Sequence, residues 1–293
     1  MNKTQVALRA SGIRKTFGTV TALGGVDLTI NRGEVVALLG TNGAGKTTFI
    51  DLILGLTTPT DGTIEVLGMS PKEATAQGKI GAMLQTGGLL HDVTAGDTLA
   101  AVASLYPHGM DFDEVVKAAN LEGLLRRKIG KCSGGEQQRL KFALAIVGKP
   151  QFLLLDEPTA GMDTGARHEF WGLAGAMAQQ GTTIMFATHY LEEAQNYAER
   201  IVFLHRQRIA ADGTVEEVLR MNNTVKVSAA FTQSPPKDLA AITDVDKQGS
   251  RYTYTTTDSD ALARTLLTST DARDLTITRA SLDDIFMSLT EGE

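Results

Sequence analysis

The sequence predicts an α/β protein built on a parallel sheet. Three features carry that expectation: unbroken apolar runs, helical patterns between them, and a glycine-rich turn after the first run. VVALLG (35–40), FLLLDE (152–157) and TTIMFATH (182–189) are leucine-rich or β-branched and do not alternate, as strands covered on both faces read. KTTFIDLILGL follows the first, GARHEFWGLAGAMAQQG the second and YLEEAQNYAERI the third, so strands and helices take turns as in parallel crossovers. The first 30 residues and GTIEVLG (62–68) read instead as half-buried strands with polar turns, which predicts a small antiparallel layer attached to the core. From about 86 to 150 the pattern is mainly helical, with breaks at Pro107–Gly109, Gly123 and Gly130, and predicts a helical subdomain.

After about Gly213 the composition turns Thr- and Ser-rich with scattered Asp. RYTYTTT alternates as a strand, DALARTLLTST repeats as a helix, and SLDDIFMSLT reads as a final amphipathic helix with Ser281 as its N-cap. The expected division is a larger domain over 1–220, containing the helical subdomain at about 86–150, and a small α+β accessory domain over 221–293. SPP at 234–236 reads as a turn or linker.

With 293 residues, 42% of them apolar and 21% charged, the chain has room for one large core and one small one. Its net charge of −6, with no long basic run, argues against nucleic acid as a partner. No stretch approaches the roughly 18 apolar residues of a membrane span, and MNKTQVALRASGIRKTF lacks the apolar segment of a leader. A soluble polypeptide is expected. Cys132 is its single cysteine, which precludes an internal disulfide and fits a reducing, cytoplasmic setting.

The strongest local signal is GTNGAGKTT (40–48). Gly40, Gly45, Lys46 and Thr47 satisfy G-x-x-x-x-G-K-[ST], with a buried strand before and a helix after. Glycines let successive backbone N–H groups curl around phosphates, the helix N-terminus adds partial positive charge, and Lys46 adds a full one. Thr47 would offer its hydroxyl to Mg²⁺. A plain strand-to-helix turn accounts for a glycine or two, but not for the Gly-Lys-Thr ending. FLLLDE, expected beside the phosphate-loop strand, ends in Asp156, placed to anchor the water shell of Mg²⁺, and Glu157, placed to polarise an attacking water. On its own, Glu157 also reads as a solvated acid at a strand end. His189, closing the third strand, reads more simply as an ordinary histidine. CSGGEQQR (132–139) sets two glycines after a serine ahead of a helical pattern, a second place to hold an anion.

Taken in order, these residues resemble the ATP-binding cassette of ABC transporters over roughly residues 5–225. GTNGAGKT is similar to the Walker A loop, Gln85 in IGAMLQ to the Q-loop glutamine, CSGGE to the family signature and FLLLDE to Walker B. AGMD (160–163) is similar to the D-loop and His189 to the switch histidine. The signature departs from its usual form LSGGQ at Cys132 and Glu136, while Ser133, Gly134 and Gly135 are intact; AGMD keeps Asp163. Phe17 in RKTFGTVTAL matches the aromatic position that stacks on adenine, although alone it reads equally as an ordinary hydrophobic residue. The C-terminal RASLDDIFMSLT resembles the extension of ATPases that serve drug-resistance type exporters.

The resemblance implies a P-loop NTPase fold with a parallel core sheet, an antiparallel β layer, a helical subdomain and a small α+β C-terminal domain. Its ligands would be ATP and Mg²⁺. Asn42, Gly43, Ala44, Gly45, Lys46, Thr47 and Thr48 would hold the triphosphate, with Thr47, Gln85 and Asp156 at the metal. Glu157, His189 and Gln85 would be the catalytic group. Ser133, Gly134, Gly135, Glu136 and Asp163 would meet the nucleotide of a second subunit, expected to be a copy of this chain. A separate transmembrane permease would be the other partner, which places the chain peripherally on the cytoplasmic face of the membrane. Its cytoplasmic helix would dock near LLHDVTAGDTL (89–99), whose leucines also suit core packing. The alternatives are a cassette ATPase outside transport or a nucleotide-sensing regulatory module. One phosphate loop and only 87 residues between Lys46 and Ser133 argue against the first (133 − 46 = 87). The presence of both Glu157 and His189 argues against the second.

Overall fold

The computed structural model describes residues 6–85, 88–221, 224–232, 242–279 and 281–291. The chain divides into two compact units, Met1–Val215 and Glu216–Glu293. The first opens with the paired strands β1 (Val6–Phe17) and β2 (Val20–Asn31), followed by β3 (Val35–Gly40) and α1 (Lys46–Ile53). Then come β4 (Asp61–Val66), α2 (Pro71–Ala76) and β5 (Ile80–Met83), and the helical stretch α3 (Ala95–Ala103), α4 (Phe112–Ala118) and α5 (Gly134–Ile146). The unit finishes with β6 (Phe152–Asp156), α6 (Thr164–Gln179), β7 (Thr183–Ala187), α7 (Leu191–Tyr197), β8 (Arg200–His205) and β9 (Arg208–Thr214). At the boundary lies α8 (Val215–Arg220); beyond it come β10 (Val225–Ala230), β11 (Ile242–Gln248), β12 (Arg251–Thr256), α9 (Ser259–Ser269), β13 (Arg273–Arg279) and α10 (Leu282–Glu291).

The central sheet has the order β5-β6-β7-β3-β8-β9 and is parallel apart from β9, which turns back along β8. Here one sequence expectation is corrected: β6 is not beside the phosphate-loop strand, because β7 pairs with both β3 and β6 and lies between them. Strand order is set by which crossover helices fill the two faces, and a chain of local patterns does not encode it. The predicted antiparallel layer is present as β2-β1-β4.

Alternation inside these strands sorts two apolar layers. Val36, Leu38, Leu154, Met185, Val202 and Leu204 share one cluster with Phe49 and Ile53 of α1 and with Leu8, Ile13 and Leu23 of the antiparallel layer. Phe186, of the opposite parity, meets Trp171 of α6 with ring centroids 4.5 Å apart, and Trp171 in turn stacks on Tyr197 of α7 at 4.8 Å. Both faces of the sheet are therefore covered, which is why its strands read as continuous apolar runs. Each such side chain, fully buried, contributes about 1.5–3 kcal/mol of transfer free energy.

The second unit is a four-stranded antiparallel sheet, β11-β12-β10-β13. Val227, Ala229 and Tyr254 of this sheet pack with Leu262 and Leu266 of α9. Ser281 caps α10: its hydroxyl accepts from the Asp284 N–H, and the Asp284 carboxylate accepts from the Ser281 N–H at 2.8 Å. SPP (234–236) lies outside the described residues.

Candidate functional site

The site forms where the C-terminal ends of β3, β6 and β7 meet the N-terminus of α1. Between β3 and α1 the backbone must come very close to its neighbours. A Cβ on Gly40 would lie 2.3 Å from the Leu204 carbonyl oxygen, and one on Gly45, whose φ is 107°, would lie 2.5 Å from the Ala22 carbonyl oxygen. Only glycine fits both positions. The Lys46 ammonium donates to the carbonyls of Gly40 at 2.7 Å and Thr41 at 3.2 Å, so the loop curls around its own lysine. Burial lowers the Lys46 pKa, against the opposing pull of Glu157 and Asp156.

These elements enclose a cavity of about 610 Å³. Of the sequence-predicted residues, Asn42, Gly43, Gly45, Lys46, Thr47, Thr48, Gln85, Asp156, Glu157 and His189 line it. Asp156 and Glu157 are nearly buried. Burial raises the Asp156 pKa and the neighbouring Glu157 charge raises it further, partly offset by Lys46. Glu157 sits in the left-handed region at φ 49°, its N–H donating to the Ala187 carbonyl at 2.9 Å. Its Oε2 lies 2.7 Å from His189 Nδ1. β7 thus holds the end of β6 in place and presents the histidine to the glutamate.

The remaining predicted residues lie elsewhere. Ala44 is buried and does not form part of the wall. Phe17 is 54% exposed at the end of β1, with the Lys15 ammonium 4.8 Å from its ring, and it pairs with Val20, which does line the cavity. Ser133, Gly134, Gly135, Glu136 and Asp163 do not line it. Ser133 caps α5 in a closed box: its hydroxyl accepts from the Glu136 N–H at 3.2 Å, and the Glu136 carboxylate accepts from the Ser133 N–H at 2.8 Å. That backbone bond lowers the Glu136 pKa despite partial burial, and Arg127, 2.7 Å away, lowers it further. Burial raises the pKa of the Cys132 thiol. Asp163 caps α6 by accepting from the Ala166 N–H at 2.9 Å.

The sequence reading missed part of the wall. Val20, Thr21 and Ala22 come from the start of β2, and Gln207 from the β8–β9 turn. Gln207 is held by its carbonyl, which accepts from the Gly24 N–H at 2.8 Å. No local pattern marks these residues; they reach the cavity only because the antiparallel layer and the sheet edge pack there.

A lysine wrapped by a glycine loop, facing two acids at a strand end, defines the class of P-loop nucleotide hydrolases. Residues 23–160 match the family model described as ABC transporter. The chain is 31% identical to the Nod factor export ATP-binding protein I of Rhizobium sp. (strain N33), over 99% of this chain and 98% of that one. It is 29% identical to the daunorubicin/doxorubicin resistance ATP-binding protein DrrA of Streptomyces peucetius, over 97% of this chain and 92% of that one. Among solved structures it is similar to a dimeric post-hydrolysis state of an ATP-binding cassette with ADP and Pi bound, with a TM-score of 0.65 and 27% identity over 71% of this chain and 98% of that chain. The chain belongs to the ABC transporter family, as one of its ATP-binding and ATP-hydrolysing subunits. Such subunits pair with a second cassette and work with a membrane permease; no described helix here is long and apolar enough to cross a membrane.

Proposed function

We propose that two copies of this chain close head to tail over two ATP molecules on the cytoplasmic face of the membrane, and that closing and reopening drives export through a separate permease. One observation carries the pairing: the Ser133–Gly135 segment, an exposed helix N-terminus, stands outside the cavity that holds Lys46 and Glu157. The first N–H groups of α5 have no partners within the helix and point to an anion. The Ser133 hydroxyl accepts from the Glu136 N–H and is also hydrogen-bonded to the Glu136 carboxylate, so it would turn its proton from that carboxylate to a phosphate oxygen of the partner's nucleotide. Asp163, at the start of the neighbouring helix, would lie at the same junction.

Within the cavity, Lys46 and the loop N–H groups would hold the triphosphate, and Phe17 would stack on the base above Val20. Thr47, Gln85 and Asp156 form an all-oxygen donor set suited to Mg²⁺, and the mutual repulsion of Asp156 and Glu157 is what a divalent cation would relieve. The metal would neutralise charge on the phosphate oxygens. Glu157 would take the proton of the attacking water, with His189 holding the glutamate and reaching the γ-phosphate. Export is supported by the relatives, which are named for Nod factor export and for daunorubicin resistance and match nearly the whole chain. The permease helix would dock near Leu90, which is 70% exposed, while Leu99 is core. The C-terminal unit would serve as an accessory domain.

Mixing Lys46→Ala and Ser133→Arg chains tests the pairing. Each variant alone should be inactive. A 1:1 mixture places half the subunits in mixed dimers with one intact composite site, recovering about a quarter of the wild-type sites. Phosphate release by the Ser133→Arg chain alone, at wild-type rate, would show self-contained sites and reject the arrangement.

A further inference from the structure

We infer that Glu193 is a positioning residue for hydrolysis, one that locks the segment carrying Glu157 to the segment carrying His189. The inference rests on the proposed roles of those two residues. Glu193 is the third residue of α7, outside the nucleotide cavity, and is 1% exposed. A carboxylate so deeply buried requires partners, and it has three. One oxygen accepts a hydrogen bond from the Thr159 hydroxyl and lies 3.2 Å from Arg167 Nε of α6. The other accepts from the Thr188 hydroxyl at 3.0 Å.

The partners' positions in the chain give the carboxylate its purpose. Thr159 is two residues beyond Glu157, and Thr188 immediately precedes His189. With the 2.7 Å contact between Glu157 and His189, the bonds close a ring: Glu157, the chain to Thr159, Glu193, Thr188, His189 and back to Glu157. Thr188 also accepts from the Tyr190 N–H at 3.0 Å, and the Arg167 guanidinium lies 4.6 Å from the centre of the Tyr190 ring. Tyr190 in turn packs on His189, ring centroids 4.0 Å apart. Each turn is held from behind by the same buried carboxylate.

Backbone geometry explains why such a clamp matters. Glu157 has φ 49°, a conformation that non-glycine residues keep only when their surroundings impose it. The Ala187 carbonyl fixes the N–H of Glu157, and Glu193 fixes the chain two residues later, so the backbone from which the Glu157 side chain projects is held at both points. Without Glu193, the Thr159 and Thr188 hydroxyls lose their common acceptor, and beyond the Glu157 N–H to Ala187 bond the two turns that carry the glutamate and the histidine lose their shared tie. A displacement of about 1 Å at a reacting group costs roughly 10²-fold in rate. The phosphate loop takes no part in the ring, so nucleotide binding should be untouched.

The test is ATP hydrolysis and equilibrium ATP binding by the full-length chain. Glu193→Ala and Thr159→Val should each lower kcat by roughly 10²-fold with KM and binding affinity unchanged. Thr159→Ser, which keeps the hydroxyl, should recover most of the rate. Glu157→Gln is run alongside, and adding Glu193→Ala to it should slow turnover no further, since the base to be positioned is already gone. Thr159→Val, nearly isosteric, keeps the test decisive if Glu193→Ala fails to fold. A slow Glu157→Gln variant together with normal kcat in Thr159→Val overturns the clamp and leaves the base intact. A fast Glu157→Gln variant overturns the role of Glu157 itself. A Thr159→Val variant that loses ATP binding in step with rate shows a structural role only and also overturns the clamp.

Discussion

Replacing Glu157 with glutamine exchanges one carboxylate oxygen for an amide nitrogen of nearly the same size, in a residue that is 8% exposed. The backbone at φ 49° suits glutamine no worse than glutamate, so the fold and the phosphate loop should survive. What disappears is the negative charge, and with it the ability to take a proton from water. General-base assistance is worth about 10²–10⁴-fold, or roughly 3–5 kcal/mol of barrier. The structure argues for the upper part of that range, because the cavity supplies no substitute. Among the described lining residues the other carboxylate is Asp156, which would be taken up by the proposed metal, and His189 would act through its 2.7 Å contact with Glu157. The variant should therefore bind ATP normally, release phosphate about 10³-fold or more slowly, and accumulate as an ATP-bound dimer. Phosphate release and size-exclusion chromatography with ATP measure the two halves of that statement. Turnover within about threefold of wild type would refute the role of Glu157 as the base.

Two further outcomes follow from the charges and caps around the sites. Asp156→Asn should abolish hydrolysis yet raise the Tm of the nucleotide-free chain near neutral pH, since it removes a buried charge beside Glu157. The sign is set by the raised folded-state pKa: the carboxylate costs stability above that pKa, and the cost fades as pH falls toward the unfolded value. The Tm gain should shrink on acidification; a gain independent of pH would contradict it. Glu136→Gln keeps an acceptor for the Ser133 N–H and loses only the pairing with Arg127, which is 43% exposed, so urea unfolding should show a change below about 1 kcal/mol. Glu136→Ala also opens the box and should cost about 1 kcal/mol more; equal losses in the two variants would contradict that account.

That second comparison bears on the least regular part of the signature. Glu136 stands where glutamine is usual, and the structure gives it a task that either residue performs, closing the cap on Ser133. The charge adds a tie to Arg127. Cys132 contributes little of its own: its thiol approaches the Lys128 carbonyl at 3.6 Å, and its backbone carbonyl accepts from the Gln137 side chain at 3.1 Å.

Read along the chain, the phosphate loop, the acids at the end of β6 and the start of α5 were all legible, because each is decided within a few residues. Glycines before a lysine, an acid where a buried strand stops and a serine and two glycines ahead of a helical pattern state their geometry without help from the rest of the protein. In the second unit β12, α9 and α10 were legible for the same reason, while β11 was not: Ile242–Gln248 is exposed along nearly its whole length, so burial imprints no alternation on it. Only the tertiary structure decided what meets what. It put β7 between β6 and β3, brought Gln85 and His189 to the same cavity as Lys46, added Gln207 and the start of β2 to the wall, and left Ser133 outside. It also buried Glu193 among Thr159, Arg167 and Thr188, three residues that nothing in their own neighbourhood links. Backbone preferences act over a turn or two, whereas these meetings depend on how helices cover a sheet, and that is settled by packing between segments far apart in sequence.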